Sequence, residues 1–222
     1  VLGFNDVYFL AIRQGTTGCV MKSTDGITWA AYDLPESVAV EAVTFGNSVW
    51  VLVASSGTGR VVTSANGQTW TARTPAQAIN WRSVAFGSSI FVAVANSGTN
   101  RVMTSPDGIT WTTRTSGFSG SSIEASAWSA ELGLFIIAGD AGKLATSPDG
   151  TTWTARTSGF GTTLITAASW SPELALFTIA GGRVGITAIY GYVGTAITVA
   201  NSYKLVSNPT TGTTMDLCTA TD

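Results

Sequence analysis

A seven-residue phrase ending in tryptophan is written four times in this chain, and no other feature restricts the fold as much. Ser23 to Trp29 reads STDGITW, Ser64 to Trp70 SANGQTW, Ser105 to Trp111 SPDGITW and Ser147 to Trp153 SPDGTTW. The tryptophans lie 41, 41 and 42 residues apart, and self-similarity at a fixed period of that size marks a repeat architecture. In each copy Asp-Gly or Asn-Gly stands between two short β-rich runs, where it supplies the positive φ angles of a tight hairpin turn. The serine two residues earlier is placed to bond turn backbone groups. The tryptophan, on the strand leaving the turn, offers apolar surface to a neighbouring unit.

Other positions fall into register with the phrase. Phe4, Phe45, Phe86, Trp128 and Trp170 recur at intervals of 41, 41, 42 and 42, which reveals a fifth unit where the fifth phrase is missing. Each unit divides into four strands. In the third, residues 79–87, 90–96, 101–105 and 110–115 are rich in Val, Ile, Thr, Phe and Trp and are bounded by Gly, Ser and Asn, as strands require. No stretch shows sustained helical periodicity. Four antiparallel strands repeated around a ring predict an all-β, five-bladed β-propeller. Its blades cover about 1–35, 36–76, 77–117, 118–160 and 161–200 within one domain. The fifth blade is degenerate, reading GITAIYGYVGT over 185–195; an atypical terminal unit for closure is one reading, and an aromatic platform of Tyr190 and Tyr192 the other. Residues 201–222 exceed what that blade needs, and Thr214 to Thr219 is expected to return, complete blade one and lock the ring.

The phrase resembles the Asp-box of bacterial-neuraminidase-type repeats, usually S-x-D-x-G-x-T-W, found in sialidase-like β-propellers and in many extracellular and phage virion proteins. Here Asp25, Asn66, Asp107 and Asp149 stand directly before their glycines, one residue closer than usual, and this variant fits the wider set of propeller repeats. The resemblance covers roughly residues 4 to 186. It implies ligands on the face bearing the loops between second and third and between fourth and first strands, and an extracellular or virion-surface setting.

Composition narrows the chemistry. Of 222 residues only 11% are charged and the net charge is −2, so nothing matches a nucleic acid phosphate backbone. Apolar runs such as Val49 to Ala54 are of strand length, far short of a membrane-spanning helix, so membrane insertion is not expected. The chain begins without Met, partway through a repeat, which suggests a processed or excised segment. Histidine is absent, which removes the commonest general base and metal ligand; neither cofactor nor metal is expected. Cys19 and Cys218 lie near opposite ends, and a ring would bring them together, with a disulfide and two buried thiols as the alternatives.

A sialidase-type enzyme would need three arginines around one carboxylate. Arg73, Arg114 and Arg156 each follow a repeat tryptophan by three residues, but on outermost strands they lie on the order of 20 Å from the axis and cannot converge. Residues on innermost strands can. Glu41, Arg82, Glu124 and Thr166 stand four positions before each aromatic marker, and their alternating charges predict ion pairs between blades rather than a catalytic carboxylate pair. Glu131 and Glu173 are expected in solvated turns. Candidate ligand-binding residues are therefore sought on the loops: Arg60, Asn96, Asn100, Arg101, Lys143 and Arg183 at loop ends, with Trp81, Phe118 and Phe160 as aromatic faces suited to sugar rings. Phe118 and Phe160 also recur at the blade interval, so rim packing is the competing reading for them.

The expected protein is a non-enzymatic recognition or structural module, touching glycans or neighbouring subunits. A multivalent lectin-like protein and a divergent glycoside hydrolase are the alternatives. The sequence leaves ligand and oligomeric state open.

Overall fold

The computed structural model describes residues 2–12, 19–181 and 187–190, the last for backbone alone. Arg183, Tyr192, Cys218, the closing tail and the side chain of Tyr190 lie outside the described residues, and with them the expected disulfide, ring lock and tyrosine platform.

Strands follow the repeat. The first sheet holds β1 (Leu2–Phe4), β2 (Phe9–Ile12), β3 (Cys19–Ser23) and β4 (Ala30–Asp33) in that order. The second holds β5 (Val40–Gly46), β6 (Val49–Ala54), β7 (Val61–Ser64) and β8 (Thr71–Arg73), and the third β9 (Trp81–Gly87), β10 (Ile90–Ala95), β11 (Val102–Ser105) and β12 (Thr112–Arg114). β13 (Ile123–Ser129), β14 (Leu134–Gly139), β15 (Lys143–Ser147) and β16 (Thr154–Thr157) form the fourth. The fifth has three described strands, β17 (Ala167–Ser171), β18 (Leu176–Ala180) and β19 (Thr187–Tyr190). All pairings are antiparallel, and the first strands β1, β5, β9, β13 and β17 stand side by side in chain order.

The second, third and fourth sheets bury both faces against their neighbours. Along β6, Trp50, Leu52 and Ala54 pack with Tyr8, Leu10 and Ile12 of the first sheet, while Val51 and Val53 pack with Trp81, Phe91 and Ala93 of the third. The strand therefore reads as a continuous apolar run, which is what burial on two faces demands. Equivalent cores join the third sheet to the fourth and the fourth to the fifth. The aromatic markers sit at these contacts: a Cβ on Gly46 would strike the Phe86 ring, and one on Gly87 the Trp128 ring. Phe4, the first marker, is half exposed, and Leu2, Val7 and Phe9 around it are exposed as well.

The four repeated turns differ from the tight hairpin expected of them. Six residues separate β3 from β4 (24–29), and only the glycine has positive φ, at 73, 69, 72 and 68° for Gly26, Gly67, Gly108 and Gly150. The acidic residue works through its side chain. Asp107 Oδ1 accepts the amides of Ile109 and Thr110 at 2.8 Å each, and Ser105 Oγ accepts that of Gly108 at 2.8 Å. Asn66 does the same with its amide oxygen, taking Gln68 and Thr69 N–H at 2.9 Å. The two-residue turns with both φ angles positive lie elsewhere, at Asn47-Ser48 and Ser88-Ser89 between the first and second strands of their sheets. The repeat tryptophan falls just before the outer strand rather than on it.

Candidate functional site

Three consecutive first strands carry a bulge at the same place. Glu41, Arg82 and Glu124 are each the residue skipped by the ladder, since pairing jumps from Val40 to Ala42, from Trp81 to Ser83 and from Ile123 to Ala125. A bulge re-aims its side chain, and here it turns the three toward one another. Arg82 Nη1 lies 2.8 Å from Glu41 Oε2, and Arg82 Nε donates to Glu124 Oε2 at 3.0 Å. Ser55 Oγ donates to the other oxygen of Glu41 at 2.6 Å. The inter-sheet ion pairs expected from the sequence are present, and both carboxylates are engaged.

The outer arginines stay apart. Arg73, Arg114 and Arg156 each donate Nε to a threonine hydroxyl of their own sheet, Thr63, Thr104 and Thr146, at 2.9 Å. No two share a ligand position.

The loops between second and third strands are where the units diverge. Residues 54–60 read ASSGTGR and 95–101 read ANSGTNR, equal in length and nearly equal in sequence. In the first, the arginine and the two amides at the loop tip are satisfied. Arg60 donates Nε to Gly57 O and Nη1 to Asn80 Oδ1, both at 3.1 Å. The Glu36 carboxylate accepts the amides of Thr58 at 3.0 Å and Gly59 at 2.6 Å. In the second loop the acid is missing, because Gln77 stands in register with Glu36 and Ser122 with Asn80. Gln77 instead gives its backbone carbonyl to Trp81 Nε1 at 3.1 Å. Among the described residues Arg101 has no side-chain partner and its Nε is buried, and the amides of Thr99 and Asn100 are also unpartnered. Beside them opens a cleft of about 280 Å³, lined by Thr99, Asn100, Arg101, Arg114 and residues 115–117, 119 and 120, with no acidic side chain.

Of the expected ligand-binding set, the cleft brings together Asn100 and Arg101. Arg60 is consumed by its own loop, and Lys143 by a 3.1 Å bond from Nζ to Phe118 O. Asn96 is half-buried and its amide joins Asn80 O at 3.2 Å. The aromatic faces are a correction: Trp81, Phe118 and Phe160 are 0, 4 and 8% exposed and belong to the cores between sheets. Their polar sequence surroundings come from loops that cross over them, and packing against the adjacent sheet decides their burial. Glu36 and Arg114 were missed as neighbours of the loop sites. The signal available was the Glu36 to Gln77 exchange at the repeat interval.

Antiparallel sheets joined through both faces, first strands abreast and second-to-third-strand loops on one side, define a β-propeller. The DUF6242 beta propeller domain model matches residues 1–113 and again 73–187, and the chain belongs to that family. Among curated proteins, none matches. Solved structures agree on the fold. The computationally designed Ika8 protein superposes with a TM-score of 0.64 at 17% identity, over 88% of this chain and 59% of that one. YCF48 bound to D1 peptide gives 0.60 at 15%, over 85% and 62%. A catalytically inactive virginiamycin B lyase from Staphylococcus aureus with quinupristin gives 0.68 at 10%, over 84% and 68%. The chain thus spans about three fifths of the first two. At these identities the likeness shows the fold alone. Among the described residues no helix is long and apolar enough to cross a membrane, which says nothing of strand-built barrels.

Proposed function

We propose that this propeller is a non-enzymatic recognition module whose ligands meet the face bearing the second-to-third-strand loops. One observation carries the reading: the convergent acids Glu41 and Glu124 are held by Arg82, while the loop face keeps an open polar cleft with unpartnered donors at Thr99, Asn100 and Arg101. Catalysis needs free, placed acids and bases; recognition needs donors awaiting acceptors. The peptide bound to YCF48 is in keeping with such a role for this fold. A glycan remains the ligand class favoured by a cleft rich in hydroxyl and amide groups, and the extracellular or virion setting rests on the repeat's resemblance.

A lectin with several like sites is less well supported, because Arg60 and Lys143 are tied where Arg101 is not. The finer architecture, five blades closed into a ring, is supported by the apolar set Leu2, Phe4, Val7 and Phe9 at the first blade, which occupies the kind of surface that neighbouring blades cover elsewhere. If the ring closes over it, Phe4→Ser costs about 2–4 kcal/mol in urea unfolding, as for a core aromatic; an unchanged midpoint removes closure.

A glycan array read at high protein concentration tests the function. Saturable binding at one site per chain is expected. Several equivalent sites would favour the lectin, and silence would leave a structural role. Turnover of fluorogenic glycosides that Glu41→Gln abolishes would reinstate a hydrolase.

A further inference from the structure

The second and third blades present the same loop in two forms, one closed by the Glu36 carboxylate and one in which Gln77 stands in its place. In the second blade, Glu36 places a carboxylate against the amides of Thr58 and Gly59, and the loop's arginine is bonded. In the third, the amides of Thr99 and Asn100 point to no acceptor, Arg101 Nε is buried without one, and Gln77 has replaced the acid. A buried guanidinium N–H without an acceptor costs free energy, and the cost is removed by an anion. The cleft holds a second guanidinium, Arg114, and no acid.

We infer that this cleft binds the carboxylate of a hydroxylated ligand, a sugar acid in class, which supplies from outside the group that Glu36 supplies in the preceding blade. The inference rests on reading the loop face as a recognition surface. A carboxylate offers two oxygens with free lone pairs, enough for the paired amides and the Arg101 fork together. Gly59 leaves room for Glu36, and a Cβ there would collide with Glu36 Oε1. Asn100, in register with Gly59, narrows that seat and adds a side-chain amide. The ligand carboxylate therefore enters from the cleft side, between Arg101 and Arg114, with Ser119, and the O–H of Ser116 whose oxygen already accepts Phe118 N–H at 3.2 Å, left for hydroxyl groups of its carrier.

Titration of the ¹⁵N-labelled chain with sodium glucuronate, glucose and sodium phosphate, followed by NMR, tests this. Glucuronate is expected to shift the amide signals of Thr99 and Asn100 saturably, and to bind more weakly as salt rises. Arg101→Gln weakens it by roughly tenfold or more, the loss of a charge-assisted pair. Gln77→Glu combined with Asn100→Gly, which restores both the acid in register with Glu36 and the glycine that makes room for it, excludes the ligand and raises Tm. Arg60→Gln leaves binding unchanged but lowers Tm, because that arginine is bonded in the fold. Absence of the Thr99 and Asn100 shifts, or binding indifferent to both Arg101→Gln and the Gln77→Glu, Asn100→Gly pair, overturns the inference. Glucose bound as tightly as glucuronate overturns the carboxylate while sparing the recognition module, and so does phosphate as the sole binder. Glucuronate held through Arg101 with a silent glycan array would uphold the cleft and defeat the glycan reading.

Discussion

The first and third repeat turns differ by one residue in seven, STDGITW against SPDGITW, and make the same internal bonds. Asp25 Oδ1 and Asp107 Oδ1 each accept two backbone amides at 2.8 Å. Their surroundings could hardly differ more. A Cβ on Gly108 would stand 2.8 Å from Val51 Cγ2 of the preceding blade, whereas one on Gly26 would meet nothing within 4 Å among the described residues. Trp111 is buried and bonds Gly108 O at 3.0 Å, while Trp29 is half exposed. Gly67 against Tyr8 and Gly150 against Val92 repeat the seated arrangement. Local sequence thus determines the shape of the turn, and the preceding blade determines what the turn contributes. The phrase is an element of packing between blades, made whole only by a neighbour.

The largest effect expected from this difference lies at the tryptophans. Trp111→Ala removes a buried aromatic that also packs against Phe91 at 6.4 Å between ring centroids, and should cost about 3–5 kcal/mol in urea unfolding. Trp29→Ala should cost about 1 kcal/mol, as a partly exposed side chain with one weak 3.3 Å bond. These values hold for the first turn as described, with no blade beside it among the described residues; equal losses would mean that the turn is covered in solution, which is the outcome closure of the ring over the first blade would bring.

Substitution at the glycines sharpens the same contrast on a smaller scale. Both have nearly the same φ, 73° at Gly26 and 72° at Gly108, so alanine pays a similar left-handed strain of about 1 kcal/mol at each. Only at Gly108 does the new methyl meet Val51. Gly108→Ala is expected to cost about 2–3 kcal/mol in total, and Gly26→Ala about 1. A combined Gly108→Ala, Val51→Ala variant checks the cause, since the two losses should be less than additive.

Much of this was readable in advance, and the limits are physical. The interval of 41 to 42 residues located the five recurring aromatic markers of the first strands, and alternating charge at that interval located the Glu41–Arg82–Glu124 pairs, because first strands lie abreast and residues in register must meet. The conformation of the Asp-Gly turn was misjudged since the dipeptide signals positive φ at both residues only in a two-residue loop; here the carboxylate gathers amides around a longer one. Positive φ at both positions went to Ser88-Ser89, which composition alone does not mark. The burial of Phe118 and Phe160 was one of two readings left open by their recurrence at the blade interval, whereas that of Trp81 was not legible, because it depends on the face of the adjacent blade. The cleft was half legible: Asn100 and Arg101 were named from loop polarity, but their being unpartnered follows from Gln77, whose meaning appears only once Glu36 is seen holding the loop before it.

Titration supplies the smallest and most selective test. The backbone amide of Thr28, then that of Ile27 and the Ser23 hydroxyl, hold the Asp25 carboxyl down at about 2. For Asp107 burial pushes upward, yet the amides of Thr110 and Ile109 outweigh it and the net shift is downward; Asp149 is lowered too, by the Thr152 amide first and then by Thr151. A carboxyl depressed in the folded state stabilises the fold above its unfolded value near 3.8 and loses that contribution as pH falls through the folded value. The acid limb therefore runs from about pH 4 down to about pH 2. Asn66 already performs the same task uncharged, so Asp107→Asn with Asp149→Asn should preserve the turns at pH 7 and flatten the stability profile over that window, measured by urea unfolding at successive pH values. Asp25→Asn should flatten the profile too, since its carboxyl is held at about 2, but by less than the double variant, which removes two depressed carboxyls. If Asp25→Asn flattens the profile as much as the double variant does, the first turn is as firmly coupled to the fold as the others, and the distinction between seated and unseated copies dissolves.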